Sequence, residues 1–306
     1  MNDSPDEKLK ENILALKHER NAIILAHLYQ RPEVQDIADH VEDSLGLSRI
    51  AASTTADTIV FCGVHFMAET ASLLNPKKAV LLPDPDAGCP MADMITVEKL
   101  RAFKEEHPGA PVVCYINSSA EVKALSDICC TSSNAADIVE SLENEELLFI
   151  PDQSLGAWVA SKTRKKIHLY PGYCLTHHRL FPEDIEKMKT LHPRAAVMGH
   201  PECTGEVLRL CDFVGSTSAM LKYAATSPHD EFLVGTESGI LHRLRKDNPG
   251  RQFHLLSDRL ICPNMKLITL EKILWALRAM EPRITVREEV REKALSTIKK
   301  MLNAKR

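Results

Sequence analysis

The feature that most constrains this chain is an internal repeat with a period of 85–88 residues. Three short apolar, β-prone runs end in polar residues: NAIILAHLYQ (21–30), APVVCYINSS (110–119) and RAAVMGHPEC (194–203). Placing His27-x-Tyr29 over Tyr115-x-Asn117 and His200-x-Glu202 gives offsets of 88 and 85. In that register a hydroxyl follows seventeen residues later in every copy: Ser44, Ser132 and Thr217. A second apolar run comes next, TIVFCGVH, LLFIPDQS and EFLVGTES, and leads into His65, Gln153 and Glu237. A third run closes each copy on a cysteine: AVLLPDPDAGC at Cys89, KIHLYPGYC at Cys174 and QFHLLSDRLIC at Cys262. A recurrence of this kind marks one structural unit built three times.

Helical patterns separate the runs. Val34, Ile37, Ala38 and Val41 have helical spacing after Pro32, a favourable first-turn residue. The hydroxyl positions read as N-caps of a following helix, in Ser44-Leu-Gly-Leu, Ser132-Ser-Asn-Ala and Ser216-Thr-Ser-Ala. Strands alternating with helices across short polar connections imply parallel sheets flanked by helices. The expected fold is therefore α/β: three homologous sandwich units with parallel sheets around a pseudo-threefold axis. Their bounds are 21–107, 108–192 and 193–281. Segments 1–20 and 282–306 read as charged flanking helices that pack on the body. Parallel sheets bind ligands beyond the carboxyl ends of their strands. Each unit would thus offer its post-strand residues, and positively polarised helix N-termini, to one shared centre that favours anions.

Composition removes several function classes. The net charge of −4 leaves no basic footprint for nucleic acid, and aromatic residues at 5% are too few for base-stacking platforms. The most apolar stretch, Thr58 to Leu74, is interrupted by His65 and Glu69, so no membrane span is expected. The polar start MNDSPDEKLKEN lacks the apolar core of a signal peptide, which predicts a cytoplasmic protein.

Nine cysteines, with no C-x-x-C, argue against a disulfide framework or a zinc ribbon. Cys62 and Cys114 lie inside apolar runs, and Cys129, Cys130 and Cys211 lie in or beside strands. Core packing explains these five; Cys203, after Glu202 at a strand end, is open. Cys89, Cys174 and Cys262 differ, because each follows a strand beside a turn residue at the same place in all three copies. Three converging thiolates suit a soft metal. Zinc with an open position is one reading; a [4Fe–4S] cluster with one unligated iron, acting as a Lewis acid, is the other. A lone histidine in a strand is most simply a satisfied core group. Here His27, Tyr29, Tyr115, Asn117, His200 and Glu202 share one repeat position, which favours function, with Glu202 as a general base. His18, His107, His192 and His229 lie in charged or loop segments and read as solvated. On residues alone, an Fe–S hydro-lyase of a small hydroxy acid and an anion-binding protein with a structural metal both stay open.

ILAHLYQ, DSLG, AGCPMADM, CYINSSAEVKA, PDQSLG, YPGYCLTH, MGHPEC, DFVGSTSAM, VGTESG and CPNM together resemble the quinolinate synthase family. The resemblance runs from about Asn21 to Trp275. It implies condensation of iminoaspartate with dihydroxyacetone phosphate to quinolinate, phosphate and water. It also implies a [4Fe–4S] cluster on Cys89, Cys174 and Cys262 with one open iron. By the same motifs, His27, Ser44, Tyr115, Asn117, Ser132, His177, His200, Glu202, Ser216 and Thr217 would meet substrate. Tyr29, His200 and Glu202 would carry the catalysis, Tyr29 and Glu202 by moving protons. L-Aspartate oxidase would supply iminoaspartate, through a transient contact. Two departures stand out: Leu28 takes a position that is Asn in some members, and Cys262 stands alone where some have a C-x-x-C-x-x-C run. The choices between Ser132 and Ser133 and between Ser216 and Thr217 stay ambiguous by one position.

Overall fold

A computed structural model describes residues 5–304. It contains three four-stranded sheets, all parallel, with the same strand order. The first is built from β1 (Ala22–His27), β2 (His40–Glu42), β3 (Thr58–Cys62) and β4 (Ala79–Leu81). The second uses β5 (Val112–Tyr115), β6 (Ile128–Cys130), β7 (Glu146–Ile150) and β8 (Lys166–Leu169). The third uses β9 (Ala196–Gly199), β10 (Phe213–Val214), β11 (Glu231–Gly235) and β12 (Gln252–Leu255). In each sheet the second strand is at one edge, followed by the first, the third and the fourth.

The repeat read from the sequence holds at the level of strand register. Ala26 pairs with Val41 and Cys62; Cys114 with Cys129 and Ile150; Gly199 with Val214 and Gly235. Every one of these positions is displaced by 88 and then 85 residues. At the fourth strand Val60 pairs with Leu81, Leu148 with His168 and Leu233 with His254, so the offsets there become 87 and 86. One aspartate per unit fixes the first strand. Asp39 accepts from the Ile24 N–H at 2.8 Å, Asp127 from Val112 at 2.7 Å and Asp212 from Val197 at 2.8 Å.

That aspartate corrects one helix expectation. The helix after Pro32 stops at Ile37, Ala38 is extended, and Val41 lies in β2. Asp39 exchanges hydrogen bonds with Ile24 from both backbone and side chain, which draws the chain into the sheet edge. The capping expectation also changes. Asp43, not Ser44, caps helix Ser44–Ser53 through the Gly46 N–H at 2.8 Å. Asn134, not Ser132, holds the N-cap position of helix Ala135–Ser141. Ser216 does cap helix Thr217–Thr226, accepting from the Ala219 N–H at 3.3 Å. Ser44 and Thr217 are first helical residues and Ser132 sits in a turn, so none of their hydroxyls is used as a cap.

β1, β3, β5, β7, β9 and β11 are almost wholly buried, as central strands covered on both faces must be. The first two sheets share one continuous apolar core, which also takes in helices Leu270–Ala279 and Glu288–Asn303. The third sheet has a separate cluster on each face. Ala195 and Val197 point to one side and Ala196 and Met198 to the other, as strand alternation requires. Helix Glu288–Asn303 is more than a charged surface helix. It buries Ala294, Ile298 and Met301, and its Thr297 hydroxyl accepts from the Cys129 thiol at 3.3 Å. Among the described residues no helix is long and apolar enough to cross a membrane.

Candidate active site

The carboxyl ends of the three sheets open onto one cavity of about 140 Å³. The first unit lines it with His27, Tyr29, Ser44 and Cys89. The second contributes Tyr115, Asn117, Ser132, Cys174 and His177, and the third His200, Glu202, Thr217 and Cys262. Ser216 is the one expected site residue outside this lining, because its hydroxyl caps a helix. Ser133 is outside as well; its hydroxyl donates to the Asp43 carboxylate from a neighbouring unit. Ser132 and Thr217 are thus the members of the two ambiguous pairs that reach the cavity.

At the centre lies Glu202, 3% exposed. Its Oε2 is 2.8 Å from His177 Nδ1 and 3.5 Å from His200 Nδ1. Burial opposes its charge, yet its partners, His177 foremost, hold the carboxyl below the usual carboxylate range. Burial pushes His27 down to about 4 and, against the pull of Glu202, His200 down to about 3. Both rings are therefore neutral near pH 7. His27 Nδ1 accepts the Tyr29 N–H at 3.2 Å, and His200 Nδ1 accepts the Glu202 N–H at 3.3 Å. This shared turn leaves each ring hydrogen on Nε2, free to donate to a bound anion.

A hydrogen-bond path links the first unit to the second through a residue of the third. Tyr29 Oη is 2.6 Å from Thr236 Oγ1, which is 2.8 Å from His177 Nε2. Burial raises Tyr29 and Tyr115 well above the ordinary phenol range, so both are proton donors in the resting site. Glu202 Oε1 and Asn117 Oδ1 are buried without a partner although both residues line the cavity. Buried polar atoms left open in this way mark places for a ligand.

Each cysteine precedes a helical turn: Cys89 before Pro90–Asp93, Cys174 before His177–Arg179 and Cys262 before Asn264–Lys266. Backbone N–H groups of those turns face the sulfurs. Burial still pushes the thiols up, Cys89 to about 12, so a cationic partner is needed to hold them as thiolates. The loops are tied together. Asn264 donates to the Gly88 carbonyl at 2.8 Å, and Glu237 accepts the Cys262 N–H at 3.1 Å while pairing with Lys266 at 3.0 Å. Three thiols from three units lining one cavity make an all-sulfur donor set, the ligand chemistry an iron–sulfur group takes, whereas catalytic zinc commonly has nitrogen or oxygen ligands as well.

Thr236, Glu237 and Lys266 were not anticipated as site residues. Thr236 lies at the end of a strand where it reads as an ordinary β-former, and its repeat counterparts are Gly63 and Pro151. The repeat comparison that picks out the other residues is silent there.

Fold and cavity together define an α/β enzyme whose candidate active site is assembled from three repeated units, each supplying a cysteine. The family model described as quinolinate synthetase A protein matches residues 11–303. Quinolinate synthase 2 of Methanosarcina acetivorans is 55% identical over 298 residues, covering 97% of this chain and 96% of the relative. Quinolinate synthase of Dehalococcoides mccartyi is 55% identical over 296 residues, covering 97% of this chain and 98% of the relative. That of Geobacter metallireducens is 53% identical over 296 residues, with 97% of each chain covered. The chain belongs to the quinolinate synthetase A protein family.

Proposed function

We propose that this chain condenses iminoaspartate with dihydroxyacetone phosphate to form quinolinate, releasing phosphate and water. The observation that carries the reading is the meeting of three units' cysteines, neutral histidines and one buried carboxylate in a single small cavity. Both substrates are anionic. His27 and His200 offer Nε2–H donors, Ser44, Ser132 and Thr217 offer hydroxyls, and Tyr115 and Asn117 complete the polar wall. Helices Ser44–Ser53 and Thr217–Thr226 begin at this wall, where their dipoles favour carboxylate and phosphate. Ser216 supports this wall as a cap.

Cys89, Cys174 and Cys262 would hold a [4Fe–4S] cluster with one iron left open. Bound there, the cluster supplies Lewis acidity toward a hydroxyl or carboxylate oxygen. The proton work falls to this chain's own residues. Glu202, ionised beside His177 and His200, is placed to take a carbon-bound proton, and His200 to steady the charge that develops. Tyr29 is placed to give a proton to a leaving oxygen, with Thr236 fixing its hydroxyl. A buried site also shields the imine of iminoaspartate from water. Because that imine is short-lived in water, an amino-acid oxidase such as L-aspartate oxidase must supply it close by.

The domain reading that goes with this is 21–107, 108–192 and 193–281, with 1–20 and 282–306 flanking. The test is an anaerobic assay of the cluster-loaded chain with iminoaspartate and dihydroxyacetone phosphate. Quinolinate formation that requires both substrates supports the reading. Turnover of a hydroxy acid without triose phosphate would replace it with an Fe–S hydro-lyase.

A further inference from the structure

Outside the cavity, two clusters of metal-ligand side chains occupy corresponding places in the second and third units. His107, Glu146 and His168 bring their donor atoms within 4.8 Å of one another, and so do His192, Glu231 and His254. The separations are those of the repeat: 85 from His107 to His192, 85 from Glu146 to Glu231 and 86 from His168 to His254. Each glutamate is the first residue of the third strand of its sheet, β7 or β11. Each second histidine lies on the last strand, β8 or β12, and each first histidine on the turn leading to the opening strand. The clusters therefore gather at the amino ends of β7 and β11, and none of their residues lines the cavity.

The side chains are already gathered. Glu231 Oε1 lies 2.7 Å from His192 Nδ1 and 3.1 Å from His254 Nε2. Glu146 Oε1 meets His168 Nε2, and this hydrogen bond holds the carboxyl below its ordinary range. The paired imidazoles lie close, tilted at 30° with centroids 3.6 Å apart in the second unit and stacked at 3.9 Å in the third. His107 and His192 are thus partnered, where their sequence settings suggested solvation. Two imidazoles and one carboxylate are a ligand set for a divalent zinc-type ion with coordination positions left for water. Zinc with bonds of ~2.1 Å would ask these donors to settle about 3.4 Å apart, a small adjustment. An ion takes the place of the hydrogens now shared between imidazole and carboxylate, and those protons leave to solvent.

We propose that each cluster is a binding site for a divalent zinc-type ion that ties the turn before the opening strand to the last strand of its sheet. The first unit has no such site, since Thr58 and Leu81 stand where the glutamate and strand histidine would be. The two sites differ in one neighbour. Lys166, 3.3 Å from Glu146, competes for its oxygen, whereas the matching residue beside Glu231 is the neutral Gln252. The third unit's site is therefore the tighter.

The test is equilibrium dialysis of the cluster-loaded protein against micromolar Zn(II) under anaerobic conditions, with His168→Gln, His254→Gln and the double variant in parallel. Wild type takes up two ions more than the double variant, and each single variant loses one. Equal uptake by wild type and double variant overturns the proposal. If the strand variants lose their cluster colour, His107→Ala with His192→Ala, both on turns, gives the same comparison: two ions lost supports the sites, none lost overturns them.

Discussion

Glu202 is a buried carboxylate whose charge is favoured above all by His177, with Nδ1 at 2.8 Å. Replacing its oxygen by an amide keeps the shape and removes the proposed base. Glu202→Gln is expected to retain the cluster's absorbance and lose roughly 10²–10⁴-fold in kcat, measured by quinolinate formation. Turnover at the wild-type rate would remove Glu202 from the proton path. The residues around it were legible to different degrees. Cys89, Cys174 and Cys262 stand out because sulfur closes every copy at a polar turn, at offsets of 85 and 88. His27 and His200 share a register position and also share the turn that ties up Nδ1. Thr236 was invisible to the same comparison, since hydroxyl-bridging of Tyr29 and His177 happens once and across units. A contact between units leaves no periodic trace in the chain.

At the scale of elements, helix starts divide two jobs that look alike in sequence. A hydroxyl one position before a helix caps it, and a hydroxyl at its first turn faces the cavity. Ser216 and Thr217 do one each. Ser216→Ala is expected to cost about 1 kcal/mol of stability by denaturant unfolding and to leave turnover nearly intact. Thr217→Ala is expected to raise KM with little change in stability; the reverse pattern would exchange the two roles. The cap residues themselves vary among aspartate, asparagine and serine, which is why reading every hydroxyl as a cap fails. The β2 edge shows the same limit. Apolar spacing of Val34, Ile37, Ala38 and Val41 suits a helix, but Asp39 binds the backbone of Ile24 and ends it early.

For the whole molecule, the three-unit α/β plan and parallel sheets were legible, down to offsets of 88 and 85 in the strand pairing. The sharing of core between the first two sheets was not, because it depends on where the carboxyl-terminal helices dock. The third unit instead meets the first through backbone closeness. Gly239 lies so near Tyr29 and Gln30 that an added Cβ would come within 2.6 Å of the Tyr29 carbonyl carbon. Gln35 bridges the same seam, donating to the carbonyls of Leu28, Gln30 and Gly239. Gly239→Ala must move backbone against backbone and shift Tyr29 relative to Thr236. A displacement near 1 Å costs on the order of 10²-fold in rate, so kcat/KM is expected to fall by about that factor. An unchanged kcat/KM would show that the seam tolerates movement.

One cysteine from each unit is proposed to hold an iron–sulfur cluster in the shared cavity. Iron and acid-labile sulfide, measured per chain on anaerobically purified wild type and on Cys89→Ala, Cys174→Ala and Cys262→Ala, test it most directly. Wild-type protein is expected to be brown with about four of each, the content of a [4Fe–4S] cluster. Both are expected to be lost in every variant, with Cys62→Ala as the unaffected control. A colourless wild type carrying a single zinc, or a full complement of iron and sulfide in any of the three variants, would contradict it.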